Sequence, residues 1–167
     1  MSINSPENLK LFLPTEQEEQ IQGIFERLAA RGFPRQNQTP HITVTFAKRM
    51  QMHVVERAKE LLPPLLPCQL SRVGTVIFGT KRKQTIAWLL EAPEELEGAA
   101  RELSALNPEG RGHRWTPHLT MGLRIPRAQV PDYLAALDEE TSPHFRHITA
   151  HRAVFWRSGT GELTELG

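Results

Sequence analysis

Apolar positions change their period repeatedly along the chain, and each change marks an element. Residues 9–13, Leu-Lys-Leu-Phe-Leu, alternate well enough to hide one face and stop at Pro14, which predicts a first strand. A helix follows at once: Thr15 with Glu18 three residues on forms a capping box, and Ile21, Ile24, Phe25 and Leu28 recur at helical spacing before Gly32. After a polar loop at 34–40, residues 42–47 are β-branched and aromatic, so a strand opens at His41. Residues 52–66 predict a second helix that ends in the Pro63-Pro64 step. Residues 69–78 and 85–91 predict an antiparallel hairpin whose tip carries Lys81, Arg82 and Lys83. Pro93 starts a third helix reaching Leu106, with Leu96, Ala99, Ala100 and Leu103 on one face. A Gly-rich loop at 107–113 leads to a strand over 115–123. A fourth helix opens at Pro126 or Arg127 and turns Val130, Tyr133, Leu134 and Leu137 inward, and a last strand is expected over 151–157. Strands and helices interleave without a Gly-rich dinucleotide turn or an obvious linker, so the fold class is α+β, one two-lobed domain over residues 1–167.

Two of the predicted strands open on nearly the same five residues, Thr39-Pro40-His41-Ile42-Thr43 and Thr116-Pro117-His118-Leu119-Thr120, about half a chain apart. A bare His-x-Thr carries little information; His147-Ile148-Thr149 is a third copy without the Thr-Pro prefix. The repeated pentapeptide points to two related halves that face each other. In a strand, residues two apart share a face, so His41 lies beside Thr43 and His118 beside Thr120, while Ile42, Val44, Leu119 and Met121 turn to the core. Pro40 and Pro117 fix φ ahead of each histidine. Two imidazoles with pKa values near neutrality and two hydroxyls suit transfer at phosphorus. One neutral histidine takes a proton from an attacking water and the other, protonated, gives one to the departing oxygen, while the hydroxyls hold the oxygens on which charge accumulates. The scheme needs no metal and no cofactor.

Composition narrows this picture only slightly. Hydrophobic residues at 39% and charged residues at 23% are ordinary, and a net charge of +1 argues against nucleic-acid binding by charge alone, so phosphate recognition must be local. The basic clusters Lys48-Arg49, Lys81-Arg82-Lys83, Arg111-Arg114 and Arg124-Arg127 each sit beside a predicted strand end and read first as solvated turns. Cys68 is the single cysteine and reads as a small core residue, which excludes an internal disulfide or a cysteine zinc site. The first residues carry no charged-then-apolar signal and no apolar run reaches the roughly 20 residues of a membrane span, so a cytoplasmic location without a membrane partner is expected. His144, His147 and His151 invite a metal reading, but their spacing converges only on a helix, whereas Pro143 and the strand-like run after them argue for a loop entering a strand.

The doubled motif resembles the two-histidine phosphoesterase superfamily, and within it the bacterial and archaeal RNA 2',3'-cyclic phosphodiesterases, also called 2'-5' RNA ligases. The likeness runs through almost the whole chain, from the strand at 9–13 and both His-x-Thr motifs to Arg72-Val73-Gly74, Trp88 and the closing Val154-Phe155-Trp156-Arg157-Ser158. It implies a pseudo-twofold duplication in which two antiparallel sheets line a central groove with helices outside. It also implies opening of a terminal 2',3'-cyclic phosphate by water to a 2'-phosphate, with 2'-5' ligation as the reverse reaction. His41 and Thr43 would take the first motif's roles and His118 and Thr120 the second's, the second-motif histidine acting as base for hydrolysis. Many relatives place an arginine where this chain has Leu123; Arg124 follows one step later, and strand alternation would point it to the face of His118, which makes it a possible substrate contact. Phe46 reads as a base-stacking or a core residue. The expected partner is an RNA end or nucleotide bearing a cyclic phosphate, with no obligate protein partner. The other readings are a phosphodiesterase for 2',5'-linked oligonucleotides or for an ADP-ribose cyclic phosphate, and a groove that binds RNA or nucleotide without turnover.

Overall fold

The computed structural model describes residues 6–167. In chain order it has β1 (Glu7–Phe12), α1 (Thr15–Ala30), β2 (His41–Ala47), α2 (Met52–Leu61), β3 (Cys68–Phe78), β4 (Lys83–Glu91), α3 (Glu94–Leu106), β5 (His118–Pro126), α4 (Val130–Glu140), β6 (His147–Ala150), β7 (Arg152–Arg157) and β8 (Glu162–Glu165). Short 3-10 turns at Pro63–Leu65 and Arg127–Gln129 lie after α2 and before α4. The second helix is therefore shorter than its apolar run predicts, because Pro63 cannot continue it. The strand predicted over 151–157 is β7; β6, separated from it at His151, whose N–H donates to the Phe12 carbonyl, and β8 lie outside that prediction. The capping box at Thr15 does not form. Thr15 is already helical, and Pro14 occupies the cap with only a main-chain bond, Glu18 N–H to the Pro14 carbonyl at 3.0 Å.

All eight strands belong to one antiparallel sheet in the order β6-β3-β4-β5-β2-β1-β7-β8. This corrects the expectation of two sheets. Four strands lie on each side of the centre, and the two sets are joined by a single residue pair, Ile42 opposite Leu119. That pair is the apolar residue of each His-x-Thr motif. One sheet face packs against the helices: Leu9, Leu11, Ile42, Trp88, Leu119 and Met121 join Ile21, Leu28, Val54, Leu96, Leu103 and Leu137 in one continuous buried core. The opposite face carries the polar halves of the motifs.

Each motif strand departs from strict alternation just after its threonine. On β2 the register against β1 slips between Lys10–Thr43 and Leu9–Thr45, leaving Val44 as an extra residue; on β5 the register against β4 slips between Ala87–Thr120 and Ile86–Gly122, leaving Met121 as the extra one. A bulge of this kind reverses which face later residues occupy. Thr45 thus turns into the core, 6% exposed, and Phe46 turns out, 53% exposed, where it pairs with Asn8 on the motif face. On β5, Gly122 turns inward and Leu123 outward.

Outside contacts hold both bulges. Asn107, buried at the end of α3, donates to Thr45 Oγ1 and to the Phe46 carbonyl, each at 2.9 Å, and the Trp115 indole donates to the Thr43 carbonyl at 3.0 Å. On the other side the Tyr133 hydroxyl of α4 donates to the Met121 carbonyl. Its ring lies so close to Gly122 that a Cβ there would stand 2.7 Å from Cε1, so a side chain at this position must displace the ring or the strand.

Candidate active site

The central pair fixes how the four predicted groups meet. With Ile42 opposite Leu119 in an antiparallel pair, one residue further each way sets His41 across from Thr120 and Thr43 across from His118. The structure therefore brings both motifs together on one face, each histidine beside its own threonine and across from the other's. All four residues are half-buried.

The histidines are oriented identically. His41 Nδ1 is 2.8 Å from the Thr39 carbonyl and His118 Nδ1 is 2.8 Å from the Thr116 carbonyl. A carbonyl only accepts, so Nδ1 carries the hydrogen and Nε2 is left to work on a substrate, as acceptor in the neutral ring or donor in the charged one. The residue before each proline supplies that carbonyl, which gives the Thr-Pro prefix a structural reason. Phe78, at the end of β3, lies against the His118 imidazole with ring centroids 4.8 Å apart.

Lys10 is the group that reading by motif missed. It pairs with Thr43 across β1 and β2 and so shares the motif face, its Nζ 5.5 Å from the Trp156 ring centroid. Burial lowers its pKa, and no carboxylate among the described residues forms an ion pair with it. Burial foremost, then the Lys10 charge and, more weakly, His118, push His41 down to about 4, against the opposing pull of its bond to Thr39. His41 is thus neutral in the free protein at neutral pH. The one signal for Lys10 in the sequence was a charged residue interrupting an otherwise apolar strand.

A pocket of about 280 Å³ opens beside the motifs, lined among others by Thr43, Phe46, His118, Arg111, Arg114 and Trp115. It lies between the second half of β2 and the 109–116 segment that leads into β5. Arg124 does not join it. A second register slip in β5, between Ile86–Gly122 and Gln84–Ile125, holds Arg124 at φ 56° in a separate depression with Arg35, Gln36, Lys83 and Leu123, so alternation from His118 mislocated it. Cys68 is only partly buried at the edge of the core, where burial raises its pKa. Of the alternative metal set, His144 lies in a loop, His147 opens β6 and His151 follows it; among the described residues no group of three or more His, Cys, Asp or Glu side chains is arranged to hold a metal ion. No helix among those residues is long and apolar enough to cross a membrane.

Residues 13–162 match the 2'-5' RNA ligase superfamily, which takes in both motifs and every element from α1 to β7. The chain belongs to this two-histidine phosphoesterase superfamily. No curated protein matches the sequence.

Proposed function

We propose that this chain is an RNA 2',3'-cyclic phosphodiesterase, in which a terminal cyclic phosphate is hydrolysed by paired histidine acid and base catalysis without a metal. Water attacks phosphorus and loses a proton to Nε2 of one histidine; the bond from phosphorus to O3' breaks, and O3' takes a proton from Nε2 of the other, leaving a 2'-phosphate and a 3'-hydroxyl. With a 5'-hydroxyl in place of water as the nucleophile, the same bond from phosphorus to O3' breaks and the product is a 2'-5' linkage with a free 3'-hydroxyl. Thr43 and Thr120 donate to the non-bridging oxygens, and Lys10 places a positive charge beside them. In the family assignment His118 is the base and His41 the acid. His41 then acquires its proton as the anionic phosphate arrives, because that charge offsets both the burial and Lys10. Phe46 and the neighbouring pocket receive the terminal nucleoside. The two motif halves act as the lobes of one duplicated unit.

The single observation that carries this reading is the matched orientation of the two imidazoles, each tied through Nδ1 to the carbonyl two residues before it. The test is a turnover panel of RNA ending in a 2',3'-cyclic phosphate, 2',3'-cyclic mononucleotides and 2',5'-linked dinucleotides, with product phosphate position assigned by phosphorus NMR. His41→Ala and His118→Ala are each expected to abolish formation of the 2'-phosphate while circular dichroism and thermal melting keep the wild-type form. Full turnover in both variants would remove the mechanism, and cleavage of 2',5'-linked dinucleotides alone would reassign the substrate.

A further inference from the structure

We infer that the surface beyond Phe78, around the β3–β4 tip and the outer end of β5, binds the phosphate backbone of a single-stranded RNA upstream of its reacting end. The inference rests on the phosphodiesterase reading and narrows its substrate to a strand rather than a mononucleotide.

Net charge conceals this surface. No Asp or Glu occurs in residues 27–55, 61–90 or 110–131, and these segments supply β2, β3, all of β4 except its last residue, and β5. The acidic residues fall mainly on the helices, where they pair with Arg27, Arg31, Arg57, Lys59 and Arg101. The sheet segments keep their positive charge uncompensated. Lys81, Arg82 and Arg127 line one depression, and Arg35, Lys83 and Arg124 line a second that shares Pro126 with the first. None of these six forms an ion pair with a carboxylate among the described residues.

The arrangement is built, not a loose tip. The Arg127 N–H donates to the Arg82 carbonyl at 2.8 Å, tying the tip to the turn before α4. Gln36, 7% exposed, grips the second β5 slip from both sides of one residue: its Oε1 accepts from the Leu123 N–H at 2.7 Å and its Nε2 donates to the Leu123 carbonyl at 3.3 Å. That grip presents Arg124 in the left-handed region, at φ 56°, which disfavours a side chain with a Cβ. A strained arginine held where glycine would fit better is a local cost with no packing return. The patch is continuous with the catalytic face, because Phe78 touches the His118 ring and Gly79 begins the tip.

The experiment is fluorescence anisotropy with the full chain and a labelled RNA of about ten nucleotides ending in a 3'-phosphate, across a salt series. Single-stranded nucleic acid loses affinity with a logarithmic slope of about −0.7 per phosphate neutralised, so five contacts weaken binding about a hundredfold between about 50 and 200 mM salt. Combined Lys81→Ser, Arg82→Ser and Lys83→Ser substitution should flatten the slope by about 2 and weaken low-salt binding at least tenfold. Arg124→Gly should weaken binding while holding or raising Tm, which separates lost charge from lost fold. Wild-type affinity and slope in both variants would overturn the inference, as would binding of the RNA no tighter than that of a 3'-mononucleotide. Turnover of the same RNA ending instead in a 2',3'-cyclic phosphate, measured alongside, reports separately on the phosphodiesterase reading. Its absence with patch-dependent RNA binding would defeat that reading and support the surface.

Discussion

A histidine near neutral pKa is versatile only if one nitrogen is committed, and here the commitment is made by the backbone. The carbonyl before each proline takes Nδ1–H, which fixes tautomer and ring direction together. What then separates the two histidines is their surroundings. His41 is expected to titrate in proton NMR well below the ordinary 6.5, toward about 4, and Lys10→Met should move that midpoint upward by removing a neighbouring positive charge; an unchanged midpoint would mean that Lys10 does not act on it. The same shift enters stability. Because the folded protein holds His41 neutral while the unfolded chain protonates near 6.5, His41's contribution is full above that pH and is lost as pH falls toward about 4. Thr43→Val and Thr120→Val should each lower kcat by about 10²–10³ if the hydroxyls meet charge that develops in the transition state, with a smaller change in KM. The four motif residues were legible because repetition outweighs chance. Lys10 was not, since alternation marks its face without saying what else shares it.

At the scale of elements, the bulges decide what the strands can present. Strict alternation would keep Phe46 on the core face and send Arg124 to the histidines; one extra residue on β2 turns Phe46 out, and on β5 the slip at Met121 is followed by a second, between Ile86–Gly122 and Gln84–Ile125, that takes in Leu123 and Arg124. No local composition announces a bulge, because its partners are distant: Asn107 and Trp115 for β2, Tyr133 and Gln36 for β5. The helices and hairpin strands were legible to within a few residues, whereas β8, almost wholly exposed, has no buried face to read. Tyr133→Phe tests the β5 bulge directly. It leaves the ring in place but strips the Met121 carbonyl of its buried donor, which should cost about 1–3 kcal/mol in urea unfolding. Gly122→Ala should cost more, because the added methyl must displace the Tyr133 ring or the strand. A neutral effect in both would mean that α4 does not hold the bulge.

For the whole molecule, the defining feature is how little joins the two halves of the sheet. Four strands on each side meet at Ile42 and Leu119, both with no exposed surface, and past that pair β2 faces the 109–116 segment across the pocket. The separation between the histidines is therefore set by packing at one point rather than by a ladder of hydrogen bonds. Leu119→Ala is expected to cost about 2–5 kcal/mol, the usual penalty for truncating a buried leucine, and Leu28→Ala on α1, equally buried but remote from the seam, should cost a comparable amount. Their effects on catalysis should differ. A displacement of about 1 Å between acid and base can cost about 10²-fold in rate, so Leu119→Ala should lose kcat even at temperatures where it is fully folded, while Leu28→Ala at the same folded fraction keeps it. Tm and kcat measured together on both variants decide the matter. Equal kcat would show that the histidine spacing is held by the flanking strands, and that the central pair serves stability alone.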